Sequence, residues 1–231
     1  MKKYKHLFFD LDHTLWDFEK NTYEAMEEIY RIFNFSKWSF FSFSDLMKKF
    51  NDVNNYLWDK FNYGLIDGDE LRYSRFNIIL ERLNVDQNEI PAGIADKYLE
   101  IAPAKQNVIP FTHEILDYLK PNYQLYILSN GFDDVQHMKL KAANIHQYFD
   151  KIITSDSSGH RKPHKEIFEY AMNEAGATRE NALMIGDNLG TDINGAQNAA
   201  MDHVFFNPAK IMHSEKVTFE IDSLKQLMKI L

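Results

Sequence analysis

The chain has no cysteine among its 231 residues, and it is poor in glycine (9) and proline (6). The lack of cysteine excludes disulfides, zinc–thiolate sites and thiol catalysis, and it is compatible with a reducing compartment, the cytoplasm by default. Basic side chains are also in deficit, 26 against 34 acidic ones, for a formal charge of -8. Because nucleic-acid binding needs a basic surface that neutralises phosphates, this balance argues against a nucleic-acid polymer as partner.

Long apolar runs are lacking as well. No stretch approaches the roughly 20 residues that span a bilayer, so we expect no membrane partner. The basic start resembles that of a signal peptide, but Asp10 and Asp12 interrupt the apolar stretch that follows. A chain of this length, 45% hydrophobic, predicts one cytoplasmic globular domain, or one with a small insert. The oligomeric state stays open.

The pattern that is present alternates strands with helices. The apolar run from His6 to Phe9 ends at Asp10 and predicts a buried strand. After residue 103, candidate strands lie at 125–128, 151–154, 182–186 and 203–206, with helices at 111–120, 132–144, 164–175, 190–200 and near 222–230. This order predicts an α/β fold, a doubly wound parallel sheet with a Rossmann-like core.

Residues from about 18 to about 102 interrupt that alternation with helical periodicity and no comparable strand. Asp67 with Glu70 and Asp86 with Glu89 have capping-box spacing, so each pair is expected to start a helix. The block is rich in aromatic residues, most of which we expect to form its own hydrophobic core. We therefore predict a core of residues 1–16 and 103–231 and a helical insert of residues 17–102.

Four polar sites fall at or just beyond predicted strand ends or in their connecting loops: Asp10-Leu-Asp12-His-Thr14, Ser129-Asn130-Gly131, Lys162-Pro163, and Gly186-Asp187-Asn188 with Asp192. In a doubly wound sheet, the carboxyl ends of the strands share one edge. We therefore expect these residues to meet in one crevice.

Three of these aspartates, Asp10, Asp12 and Asp187, would repel one another unless a cation compensated them. Oxygen ligands without histidine or cysteine favour Mg²⁺. Each aspartate taken singly is better explained as a helix cap or a strand end, and it is their combination that favours a metal site.

Other residues in the set suit a phosphate group. Thr14 and Ser129 carry hydroxyl donors, Gly131 allows close backbone approach, and Lys162 is a point charge. Each is weak evidence alone, because Ser-Asn-Gly commonly forms a turn and Lys-Pro a surface helix start. A small phosphorylated substrate is the partner that they predict together.

In this order, the motifs resemble the four-motif signature of the haloacid dehalogenase-like hydrolase superfamily, over essentially the whole chain. The resemblance implies a phosphatase with a helical cap, in which Asp10 is nucleophile and magnesium ligand. It implies that Asp12 is general acid/base and binds metal through its backbone carbonyl. Asp187 would be a direct metal ligand, and Asp192 would reach the metal through water or orient the site.

The remaining motif residues would handle the phosphoryl group. By the same resemblance Thr14, Ser129 and Lys162 would hold it, with Asn130 at the edge of the site and Lys162 also offsetting the charge of Asp10. His13 departs from the family pattern, which very often has glycine there. The resemblance therefore does not predict the backbone conformation of this loop.

Several alternatives stay open. A sugar phosphomutase keeps the same residues, whereas a 2-haloacid dehalogenase would lack the acid at Asp12, because halide needs no proton to leave. A non-catalytic binding module would be expected to have lost Asp10 or Asp187, and both are present.

The segments around Trp16 and Phe18, 63–66, and Arg72 with Arg75-Phe76 resemble a cytosolic pyrimidine 5'-nucleotidase subfamily. That resemblance implies a nucleoside 5'-monophosphate as substrate. Trp16 and Phe18 directly follow Thr14, which makes them the candidates for stacking on a base. Arg72 and Arg75 are each expected to be solvated helix residues.

Overall fold

A six-stranded, fully parallel sheet forms the centre of the α/β part of the protein. The computed structural model describes residues 4–231. The strands are β1 (His6–Phe9), β2 (Gln124–Ser129), β3 (Lys151–Thr154), β4 (Ala182–Gly186), β5 (Asp202–Phe206) and β6 (Phe219–Ile221). In the sheet the strands lie in the order β3-β2-β1-β4-β5-β6. The order reverses beside β1, which pairs with β2 on one side and β4 on the other. Ligands of such sheets bind at this switch point, beyond the carboxyl ends of the strands.

Both faces of the sheet are buried. Leu7 and Phe9 of β1 belong to one apolar cluster and Phe8 to a second, as the twofold alternation of a strand requires. Five helices accompany the sheet: α5 (Thr112–Leu119), α6 (Asp133–Ala142), α7 (Ser155–Ser158), α8 (Lys165–Ala175) and α9 (Asn194–Asn198). The predicted α/β fold with a doubly wound parallel sheet is confirmed.

The remaining part of the chain is helical. It contains α1 (Phe18–Ile32), α2 (Phe43–Asn62), α3 (Gly68–Arg82) and α4 (Ile94–Ile101). Ser42 and Asp45 form a reciprocal capping box at the start of α2, and the side chain of Asp67 accepts from the Glu70 amide at 2.8 Å at the start of α3. Buried residues of α2 recur at helical spacing from Leu46 to Phe61, which gives this unit its own core.

Contacts divide the chain into two compact units. One combines the N-terminal segment up to Phe18 with Gln106–Leu231, and the other is Glu19–Lys105. The assignment of catalytic core and cap to particular residues stays a prediction. None of the helices in residues 4–231 has the length and apolar character to cross a bilayer.

One local expectation was wrong, and two predicted helical segments differ in type from a regular α-helix. Asp86 starts only a 3₁₀ turn, Gln87–Glu89, because its side chain closes a turn on the Asn88 amide at 2.8 Å, and Pro91 follows. The predicted helical segment at 190–200 is a π-helix, Leu189–Ile193, continued by the short α9, and that near 222–230 is a 3₁₀-helix, Leu224–Lys229. The edge strand β6 was not predicted, since three residues carry too little periodicity.

Candidate active site

Three carboxylates converge beyond the ends of β1 and β4. Asp10 follows β1, Asp187 follows β4, and Asp192 lies one turn further along the chain. One oxygen from each side chain falls within a group whose members are all within 4.8 Å of one another. The Asp10 amide donates to the Ile185 carbonyl at 2.9 Å, which continues the β1–β4 pairing as far as Asp10. The sheet therefore gathers residues that are far apart in sequence.

Lys162 is the cation of this group. Its Nζ donates to Asp10 Oδ1 at 2.6 Å, to Asp192 Oδ1 at 2.6 Å and to the Leu128 carbonyl at 2.8 Å. The side chain is 2% exposed, and these three bonds use all three ammonium protons. The neighbouring carboxylates outweigh the effect of burial and raise the pKa of Lys162, so the ammonium stays charged.

Asn130 holds the backbone on which Lys162 lies. Its Nδ2 donates to the Lys162 carbonyl at 2.9 Å, and its Oδ1 accepts from the Lys162 amide at 2.7 Å. This pair of bonds ties the end of β2 to the Lys162-Pro163 loop, whose peptide bond is cis. Asn130 thus positions the lysine in addition to lying near the predicted crevice.

One lysine does not balance three carboxylates. Burial, together with the charges of Asp192 and Asp187, raises the pKa of Asp10 well above its usual range, although Lys162 opposes this shift. Burial and the charge of Asp192 likewise raise the pKa of Asp187 to about 6. Such excess negative charge, presented only by oxygen ligands, fits a hard dication such as Mg²⁺. Gly186 contributes space, because a Cβ there would overlap the Asp192 carboxylate.

The loop after β1 turns sharply through His13, whose φ of 64° lies in the left-handed region. This conformation explains why the family pattern has glycine here, since glycine adopts it without steric cost. Thr14 is fully buried, and its hydroxyl donates to Asp187 Oδ1 at 3.0 Å. Thr14 therefore contacts a carboxylate of the cluster; its predicted contact with phosphate stays a prediction.

Ser129 ends β2 with its hydroxyl oxygen already occupied. Oγ accepts from the Gly131 amide at 3.1 Å and from Gln136 Nε2 at 2.6 Å. A hydroxyl has two acceptor positions and one proton, so the proton is left to donate. A phosphate oxygen is a suitable acceptor for it.

Comparison with known proteins identifies the family. The family model described as haloacid dehalogenase-like hydrolase matches residues 4–200. The chain belongs to this family of hydrolases.

Relatives of the hydrolase match it almost from end to end. It is 29% identical over 232 residues to the pyrimidine 5'-nucleotidase YjjG of Escherichia coli, covering 99% of this chain and 98% of YjjG. It is 28% identical over 232 residues to the pyrimidine 5'-nucleotidase PynA of Streptococcus pneumoniae, covering 99% and 95%. A crystal structure of YfnB from Bacillus subtilis bound to magnesium superimposes with a TM-score of 0.87 at 27% identity, covering 99% of each chain.

Two residues of the hydrolase that contact Asp12 belong to none of the four sequence motifs. Lys139 Nζ donates to both oxygens of Asp12, at 2.6 and 2.8 Å, and Gln136 Nε2 donates to Asp12 Oδ2 at 3.1 Å. Burial alone would raise the pKa of Asp12, but the charge and hydrogen bonds of Lys139, with that of Gln136, lower it overall. Their spacing of three on the helix after Ser129-Asn130-Gly131 was the available signal.

The two aromatic candidates of the hydrolase lie in different environments. Trp16 is 1% exposed within the core, and Lys139 Nζ lies 4.6 Å from its ring centroid. This position favours packing beneath the ammonium group over stacking on a base. Phe18 is half-buried, with its ring centroid 4.7 Å from that of His13.

The expectation that Arg75 is a solvated helix residue was wrong. Instead of being solvated, it is 5% exposed, and its guanidinium lies 5.7 Å from the Phe50 ring centroid and 5.4 Å from that of Tyr98. Its Nε has no hydrogen-bond partner in the described residues. Helix α3 turns this side chain to its buried face together with Phe76, a choice that the weak apolar pattern of the helix did not indicate.

Proposed function

We propose that this hydrolase is a magnesium-dependent phosphatase of small phosphomonoesters, acting through an aspartyl-phosphate on Asp10. The observation that carries the proposal is the bond from buried Lys162 to Asp10 within the carboxylate cluster. A nucleophilic carboxylate, a fixed cation beside it and a second aspartate two residues on are the parts that this reaction needs.

The metal would be held by Asp10, Asp187 and Asp192, with the Asp12 carbonyl as a further ligand. Bound Mg²⁺ would offset the charge of the phosphate and of the clustered carboxylates. Asp10 would then be ionised at neutral pH, as a nucleophile must be. The raised pKa values of Asp10 and Asp187 in the metal-free protein support this coupling.

In the first step, a carboxylate oxygen of Asp10 attacks phosphorus as the bond from phosphorus to the leaving oxygen breaks. Oδ1 is engaged by Lys162, which leaves Oδ2 as the attacking atom. Lys162 and the Ser129 hydroxyl stabilise charge on the phosphoryl oxygens. Asp12 gives its proton to the departing alkoxide; the negative charge of a bound phosphate would favour this protonated form.

In the second step, water replaces the leaving group. Asp12, now ionised, accepts a proton from water as its oxygen attacks phosphorus and the bond to Asp10 breaks. Inorganic phosphate and free Asp10 result. The ion pair with Lys139 favours the carboxylate form of Asp12 that this step requires.

A nucleoside 5'-monophosphate is our proposed substrate class. Support comes from YjjG and PynA, which are named pyrimidine 5'-nucleotidases and match nearly the whole chain. Half-buried Phe18 is the stacking candidate that we retain. We further propose that the helical insert acts as a cap, which would close to exclude water and open to release product.

The test is release of inorganic phosphate from nucleotides and sugar phosphates, with Mg²⁺ or with chelator. We expect magnesium-dependent release that is highest for nucleoside 5'-monophosphates and lost in Asp10→Asn. Asp52→Asn, at an exposed position of α2, is the matched control and should keep wild-type rates. Trapping the intermediate with hydroxylamine should modify Asp10.

Three kinds of result would count against the proposal or a part of it. Full turnover in Asp10→Asn, or in the presence of chelator, would remove the nucleophile or the metal from the scheme. Equal or faster turnover of sugar phosphates would leave the phosphatase in place and reject the nucleotide preference. Phosphoryl transfer between sugar hydroxyls without phosphate release would indicate a phosphomutase.

A further inference from the structure

The carboxylate of Asp12 is held by donors on one helix. Lys139 Nζ contacts both oxygens and Gln136 Nε2 contacts Oδ2, so three of its roughly four acceptor positions are filled. Among the described residues no other donor reaches this carboxylate, and one position on Oδ1 stays open. The Asp12 side chain is 24% exposed, against 9% for Lys139. The Asp12 side chain is therefore more exposed than the lysine that orients it.

Gln136 connects Asp12 to Ser129. One amide proton goes to Asp12 Oδ2 at 3.1 Å and the other to Ser129 Oγ at 2.6 Å. The amide oxygen, buried, has no partner in the described residues. Turning the amide over would set its oxygen against Asp12 Oδ2, so the contact with the carboxylate determines its orientation.

Lys139 packs against the ring of Trp16. Its Nζ lies 4.6 Å from the ring centroid of Trp16, and Trp16 pairs with Asp12 in an isolated backbone bridge. Gly131 adds the space for Gln136, because a Cβ at that position would overlap the glutamine side chain. The loop after β1 and the start of α6 thus form one packed unit around a single carboxylate.

We propose that Lys139 and Gln136 are positioning residues that present Oδ1 of Asp12 for proton exchange with the leaving group and with water. This inference rests on the proposed phosphatase reaction, in which Asp12 is the acid and base. In the first step the Oδ1–H bond breaks and the proton goes to the leaving oxygen. In the second step a proton from water returns to Oδ1. Gln136 keeps this carboxylate in register with the Ser129 hydroxyl.

The leaving group separates this role from a structural one. An alkoxide needs a proton in order to depart, whereas 4-nitrophenolate leaves without one, and kcat/KM reports the steps through transfer to Asp10. In Lys139→Met, kcat/KM should fall at least about tenfold for an alkyl phosphate but less than about threefold for 4-nitrophenyl phosphate. Lys139→Arg, which keeps a charged donor, should recover part of the loss for the alkyl ester. Gln136→Met should show the same leaving-group dependence with smaller losses.

Lys141→Met is the matched control, because Lys141 is an exposed lysine of the same helix; it should match wild type with both substrates. Thermal denaturation identifies any variant that fails to fold, and if Lys139→Met does so, Gln136→Met carries the test. Equal losses with both substrates, or none, in a folded variant would overturn the inference. Absence of phosphate release by the wild type would instead reject the proposed function, so the two failures are distinguishable.

Discussion

Lys162 Nζ donates to Oδ1 of Asp10 across 2.6 Å, although 152 positions separate the two residues in the chain. The same ammonium group also contacts Asp192. Because it is the buried counter-charge of both carboxylates, Lys162→Met should lower turnover at least about 100-fold. It should also lower the free energy of unfolding by about 3 kcal/mol, since two buried carboxylates lose their partner. Phosphate release and urea denaturation measure the two effects.

Lys165→Met is the control for this substitution. The Lys165 side chain is 54% exposed, and its Nζ lies 3.5 Å from Glu169 Oε1. Its loss should therefore change the free energy of unfolding by no more than about 0.5 kcal/mol, and turnover by no more than about the factor that 0.5 kcal/mol represents. A Lys162 variant that behaved like this control would show that the buried ion pairs are dispensable.

Removal of one carboxylate should stabilise the protein when no metal is bound. In Asp187→Asn the repulsion from Asp192 disappears, so the metal-free variant should be about 1–3 kcal/mol more stable than wild type at pH 7.5. Added Mg²⁺ should raise the melting temperature of the wild type and have little effect on the variant. A variant that is destabilised without metal, or that still responds to Mg²⁺, would contradict the assignment of Asp187 as a ligand.

The difference in stability between Asp187→Asn and wild type should depend on pH. The pKa of Asp187 is raised from 3.8 to about 6, so between these values the folded protein binds more protons than the unfolded chain. The contribution of Asp187 to stability is therefore largest below pH 3.8 and is lost as the pH rises through 6. We expect the stability gained in Asp187→Asn over wild type to grow from pH 5 to pH 7.5. A constant difference across that range would reject the raised pKa.

Gly186 tests the space behind Asp192. In Gly186→Ala the new methyl group would overlap the Asp192 carboxylate, displacing it from Lys162 and from the Asn188 amide, 3.0 Å away. We expect a loss of about 1–3 kcal/mol in unfolding free energy and a weaker stabilisation by Mg²⁺. Denaturant titration with and without Mg²⁺ measures both. An unchanged response to Mg²⁺ would mean that Asp192 can move without cost to the site.

Arg75 offers a test within the helical unit. Its buried guanidinium contacts Phe50 and Tyr98 and pairs with no carboxylate in the described residues. Replacement by methionine, of similar length and apolar, should leave the free energy of unfolding unchanged or raise it by about 1 kcal/mol. Thermal denaturation measures this. A clear loss of stability would show that the contacts with the aromatic rings outweigh the cost of burying the charge.

Much of the fold could be predicted because its signals are local. The run from His6 to Phe9 and the segments that became β2 to β5 are apolar, short and bounded by polar residues, and each formed a strand. The order of the motifs along the chain also predicted which polar side chains would lie at the carboxyl edge. The prediction of a helix start at Asp86 failed because the same side chain can close a turn or cap a helix, and the residues that follow determine which of the two forms.

The parallel α/β fold and the set of polar residues at the strand ends could be predicted without a structure, because periodicity and motif order are properties of the chain. The partners of those residues depend on packing between elements and became visible in the folded protein. Lys139 and Gln136 carry no motif, yet α6 directs both at Asp12, while Trp16 enters the core and Arg75 is buried. Burial and pairing depend on which surfaces pack together after folding, and that packing is what sets the charge state of each carboxylate.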